Sequence, residues 1–129
     1  MKKESRFFKG LADETRLKIL WLLMQRDELC VCDIMRVLGI TQSKASRHLR
    51  YLSNLGVLSD RREGVWMNYR LSVAPGSPEA RQLHLLADML RDHPEARSLQ
   101  TRLAQCIAAK ERSGRPAADL QEEARLLCQ

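Results

Sequence analysis

Apolar positions recur along most of this chain with the period of a helix, and with the alternation of a strand in one stretch only. Phe7, Phe8 and Leu11 make the apolar side of a short helix over residues 5–10. Asp13 and Glu14 open a second helix, since acidic side chains are favoured at the positive end of a helix. Its apolar residues Leu17, Ile19, Leu20, Leu22, Leu23 and Met24 form a broad stripe that reads as central core. Arg26-Asp27-Glu28 breaks the pattern, and a third helix follows over residues 31–38 with Ile34, Val37 and Leu38 inward. Gly39 supplies a sharp turn and Thr41 caps a fourth helix over residues 42–54. There Ala45, Leu49, Leu52 and Leu55 face the core, which leaves Lys44, Ser46, Arg47, His48 and Arg50 largely outside.

Gly56 ends that helix. Residues 57–61 and 65–71 are then β-favouring runs joined by Arg62-Glu63-Gly64, a hairpin. Ala74-Pro75-Gly76-Ser77-Pro78 reads as a linker. Residues 79–91 form a helix with apolar Leu83, Leu86, Met89 and Leu90, and another runs from Pro94 to about residue 110, striped by Leu99, Leu103, Cys106 and Ile107. Ser113-Gly114-Arg115-Pro116 interrupts it before a short amphipathic tail. The expected fold is mostly α with a small β-hairpin wing, a winged helix-turn-helix. Residues 1–91 are expected to form this DNA-binding unit and residues 92–129 a C-terminal helical extension.

Charge sharpens this picture through its location. The 129 residues carry a net charge of +6, and residues 1–71 hold 14 Lys and Arg against 8 Asp and Glu. Residues 72–129 hold 8 of each, so the whole excess lies with the helix-turn-helix and points to a polyanion partner. A membrane is a poor alternative, because nothing approaches the roughly 20 apolar residues of a span. Lys2 and Lys3 lead into Glu4 and Ser5 rather than into an apolar secretory core. The expectation is a cytoplasmic protein whose four cysteines stay reduced and available as ligands.

A helix reads the major groove when one face offers short polar and basic side chains and the other is anchored. Gln42 and Ser43, at the start of the fourth helix, are placed to reach base edges. Lys44, Ser46, Arg47, His48 and Arg50 complete the candidate surface, with Lys44, Arg47 and Arg50 suited to phosphates. Arg61 and Arg62 at the hairpin tip are placed for backbone or minor groove.

Four stretches carry a resemblance: Leu11-Ala12-Asp13-Glu14-Thr15-Arg16-Leu17, Glu28-Leu29-Cys30-Val31-Cys32-Asp33, Ser46-Arg47-His48-Leu49 and Gly64-Val65-Trp66-Met67-Asn68-Tyr69-Arg70-Leu71. Over roughly half its length the chain resembles the arsenic-responsive repressors of the ArsR/SmtB winged-helix family. The resemblance implies a homodimer on operator DNA, released when inducer binds, with the first helix and the helix after the wing at the dimer interface. It also implies Cys30 and Cys32 as ligands of trivalent arsenic, arsenite foremost, with antimonite and methylated arsenicals of the same thiophilic class. The family's third ligand falls at Met35, whose thioether cannot become a thiolate. Cys106, Cys128 or an external thiol is left to complete the site, or the inducer needs only two thiolates.

In a regular helix Cys30 and Cys32 would point about 200° apart, so a shared ion demands that the start of the third helix distort. Divalent metal on His84, Asp88 and His93 is a rival reading, as is thiol redox sensing through Cys30 and Cys32. A thiol oxidoreductase would need a βαβ context and charged activators that do not stand out, and no protein substrate is implied. The chain reads as a regulator and not an enzyme.

Overall fold

The computed structural model describes residues 1–113, which form six helices and three strands. Helix α1 spans Lys2–Leu11, longer than the apolar pattern indicated because Phe7 and Gly10 alone are buried in it. Asp13 caps α2 (Glu14–Leu23), its carboxylate accepting the backbone N–H of Arg16 at 2.9 Å. Ile19, Leu20, Trp21, Leu22 and Leu23 are all buried there, as a central helix requires. α3 (Val31–Leu38) and α4 (Gln42–Asn54) make the helix-turn-helix. The turn between them is set by Gly39 at φ 64°, where a side chain would be strained, and by Thr41, whose hydroxyl accepts the N–H of Lys44.

The wing is β2 (Leu58–Glu63) paired antiparallel with β3 (Trp66–Leu71). Its connection is shorter than the sequence pattern suggests: Glu63 pairs with Trp66, so Gly64 and Val65 alone make the turn and Arg62 and Glu63 belong to the strand. A third strand, β1 (Leu29–Cys30), joins the other edge of β3, with Leu29 opposite Tyr69 and Cys30 opposite Asn68. No pattern in the sequence marks it, since two residues have no period to read. The sheet order is β1-β3-β2.

α5 (Pro78–Leu90) and α6 (Pro94–Ser113) follow. α6 reads from the sequence as an extension, yet Ala96, Leu99, Leu103 and Cys106 lie in the same buried cluster as α2 and α3. Trp21 Nε1 donates to the Ala96 carbonyl at 2.8 Å, and the Lys110 ammonium reaches Asp33 on α3. α5 contrasts with this. Leu83 is buried, but Leu85 and Met89 are 57% and 77% exposed, so Met89 is not a core residue of this chain. No helix among the described residues is long and apolar enough to cross a membrane.

Candidate functional site

Helix α4 is anchored through Ala45, Leu49 and Leu52, each fully buried. Opposite them Gln42, Ser43, Lys44, Arg47 and Arg50 are exposed and Ser46 is half-buried. This is one polar, cationic face at the N-terminal end of a helix, the arrangement that groove reading needs.

His48 does not share it. It is buried at 9% exposure, with Nδ1 3.3 Å from Arg16 Nη1 and 3.8 Å from Asp13 Oδ2. The reason is α1 and α2, which close over this side of α4. Arg16 Nε and Nη2 donate to the carbonyls of Gly10 and Lys9, and its guanidinium lies 4.2 Å over the Tyr51 ring. Burial pushes the His48 imidazole below its ordinary value, against the pull of Asp13. The expectation of His48 on the outer face is therefore corrected.

On the wing, Arg61 and Arg62 are exposed but adjacent on one strand, so they leave opposite faces of the ribbon. Neither is at the tip, which Gly64 and Val65 occupy. Arg61 is engaged: its Nη2 donates to Glu28 Oε1 at 2.6 Å and its Nε to Glu28 Oε2 at 3.2 Å. Nη2 also approaches Glu63 Oε2 at 3.4 Å. The Arg61 guanidinium holds the Glu28 carboxyl below the usual carboxylate range, and Glu28 raises Arg61 in return.

Cys30 and Cys32 are both buried, and their sulfurs are bonded to each other, with Cα atoms 5.1 Å apart. The spacing argument expected opposed side chains because it placed both residues in one helix. Cys30 is instead the N-cap of α3, with extended backbone (φ −69°, ψ 145°), and its Sγ accepts the N–H of Cys32 at 3.1 Å. Both sulfurs thus meet at the helix N-terminus with α3 intact, so no unwinding is needed to bring them together. A helix N-terminus is also a favourable place for negatively charged sulfur.

The other candidate ligands are dispersed. The buried Cys106 thiol donates to Asp33 Oδ1 at 3.7 Å, and burial, followed by the Asp33 charge, pushes its pKa up. Asp33 is itself buried and accepts Lys110 Nζ at 3.1 and 3.2 Å, tying α3 to α6. Cys128 lies outside the described residues. His84 is exposed, Asp88 pairs with Arg91, and His93 Nδ1 accepts the N–H of Glu95. Among the described residues no group of three or more His, Cys, Asp or Glu is arranged to hold a metal ion. Sequence reasoning missed Arg16, Glu28, Asp33 and Lys110. Only tertiary neighbours reveal them, although Arg16, Glu28 and Asp33 lie inside the stretches that carry the resemblance.

Residues 13–60 match the family described as bacterial regulatory protein, arsR family. The chain is 55% identical over 65 residues to the arsenical resistance operon repressor of Escherichia coli, a stretch covering 50% of this chain and 56% of that protein. It is 41% identical over 93 residues to an arsenic resistance transcriptional regulator of Pseudomonas putida, covering 65% of this chain and 73% of the relative. Two solved structures are similar in fold. One is the AntR antimony-specific transcriptional repressor, with TM-score 0.57 and 30% identity over 69% of this chain and 78% of the other. The second is the homodimeric winged helix-turn-helix DNA-binding domain of Mb0332 from Mycobacterium bovis, with TM-score 0.59 and 33% identity over 72% and 82%.

Proposed function

Since the chain belongs to the arsR family of bacterial regulatory proteins, we propose that it is a transcriptional repressor that leaves operator DNA when trivalent arsenic binds Cys30 and Cys32. The observation that carries this reading is the meeting of the two sulfurs at the N-terminus of α3, the helix that a single turn joins to the one presenting Gln42, Ser43, Lys44, Ser46, Arg47 and Arg50. In the dithiol form, arsenite exchanges hydroxyls for sulfurs, each thiol proton leaving on a hydroxyl as water. Soft thiolates select such an ion over hard ones. Antimonite has the same chemistry, and a relative in fold is named as antimony-specific. Cys106, Cys128 or an external thiol fills the third position.

The operator is bound by a homodimer. Phe8 on α1 and Leu85 and Met89 on α5 form exposed apolar surface, and Lys3 of α1 lies 3.9 Å from Glu79 of α5. A two-fold pair of such chains would set two α4 helices in successive major-groove half-sites. Arg61 and Arg62 then serve the phosphate backbone from the wing.

Fluorescence anisotropy on the duplex upstream of the protein's own coding sequence, titrated with arsenite under a thiol reductant, tests the reading. Release at stoichiometric arsenite, lost in Cys30→Ser and in Cys32→Ser, is expected; retention at saturating arsenite would sink it. Met35 favours one variant, a methylated trivalent arsenical that needs two thiolates, and the same titration with methylarsonous acid compares the two inducers. The bonded sulfurs favour a second reading, redox control, in which peroxide takes two electrons and two protons from the dithiol to give the disulfide and water. Release by peroxide but not by arsenite would select it.

A further inference from the structure

Arg61 donates to Glu28 through Nε and Nη2 together, the side-on geometry a guanidinium also offers a phosphate. Glu28 and a DNA phosphate therefore compete for one set of N–H donors. The competitor is connected to the thiol pair. Glu28 precedes Cys30 by two residues, and Cys30, Asn68 and Arg61 stand in one row across the sheet. Side chains in such a row share a face. Asn68 Nδ2 donates to Glu63 Oε2 at 3.1 Å, and that same oxygen is the second carboxylate contact of Arg61. Two carboxylates thus hold the wing arginine, and each is anchored beside Cys30 or its sheet partner.

We propose that Glu28 is a positioning residue that withholds Arg61 from DNA phosphate, and that ligation of Cys30 strengthens this hold. The inference rests on the reading of the chain as a DNA-binding repressor released by a thiol ligand. On DNA, phosphate and Glu28 share the guanidinium, so each wild-type wing holds its phosphate only part of the time. When an ion clamps Cys30 to Cys32, β1 is fixed against β3 and the carboxylate regains Arg61, so the wing loses its backbone contact. An exposed ion pair is weak, which suits a contact that must exchange with phosphate.

The test is anisotropy on the upstream duplex over a salt series, with and without arsenite, for the wild type, Glu28→Gln, Arg61→Gln and the double variant. Glu28→Gln is expected to bind about two- to fivefold tighter, the scale of one exposed ion pair. Its log affinity should fall more steeply with log salt, by about 0.9 for each wing that gains a phosphate. Arsenite should weaken its binding less than it weakens the wild type's. In the Arg61→Gln background, adding Glu28→Gln should change neither affinity nor slope. Equal tightening with and without Arg61 would reveal a simple loss of negative charge and overturn the proposal, as would equal salt slopes for wild type and Glu28→Gln. A wild type that binds the duplex but ignores arsenite sinks the induction reading and the coupling to Cys30, while the salt slopes still decide whether Arg61 is withheld. A wild type that ignores the duplex overturns both.

Discussion

Arg16 joins three helices through one side chain. Its guanidinium donates to the carbonyls of Lys9 and Gly10 in the last turn of α1 and lies over Tyr51 of α4, while its own backbone sits in the first turn of α2. Helix-terminal carbonyls want outside donors, and a planar fork supplies them where an ammonium cannot. Arg16→Ala is expected to lower stability by about 1–3 kcal/mol, read from urea unfolding, with Arg16→Lys recovering little of it. His48, packed beside it, gives a pH signature. Its folded pKa lies below the ordinary 6.5, with burial the largest cause and Asp13, Arg16, Arg47 and Lys44 the charges facing it. The unfolded chain then binds the proton more readily. His48 thus contributes stability fully present above pH 6.5 and lost as pH falls through the lower folded value. Thermal unfolding followed from pH 7.5 downward should lose that component in His48→Gln; unchanged curves would sink the assignment. The residue pattern placed His48 outside because α4 taken alone leaves that side open. α1 and α2, arriving from elsewhere in the chain, cover it.

The elements most legible in the sequence were those with period and caps of their own. α2, α3 and α4 carry apolar stripes, Asp13 and Thr41 cap two of them, and Gly39 marks the turn between the last two. Gly39→Ala is expected to cost about 1 kcal/mol in chemical denaturation, because nothing crowds the site and only the left-handed backbone resists. β1 was illegible because its two residues become a strand only by pairing with β3. That pairing also explains the thiols. It keeps Cys30 extended, so the helix begins at Val31 and the 100°-per-residue rule does not separate the two sulfurs. The tie between α3 and α6 has the same long-range character. Asp33 is 4% exposed and bonded to Lys110, whose side chain is 24% exposed. Asp33→Asn removes the buried negative charge that Lys110 Nζ donates to and is expected to cost about 1–3 kcal/mol, less than a fully buried pair because Lys110 reaches water. Adding Lys110→Met should recover part of the loss in the same urea titration.

At the scale of the whole molecule, one chain leaves apolar surface on α1 and α5 uncovered. Met89→Glu is expected to shift sedimentation equilibrium toward monomer and to weaken operator binding at least tenfold, since half of the groove contacts then bind without the other half. Unchanged mass and affinity would place the partner surface elsewhere. The sequence alone determined the helix order, the wing, the basic half of the chain and the presence of a thiol pair ahead of the helix-turn-helix. Each of these is written in local period, in punctuation by glycine and capping residues, or in composition. Tertiary structure decided which side of α4 stays open, where the two sulfurs meet, what holds Arg61 and how α6 joins the core. Those depend on segments far apart in sequence, β1 and β3 among them, that come together only once the sheet and helices have packed, and neither periodicity nor spacing encodes such a meeting.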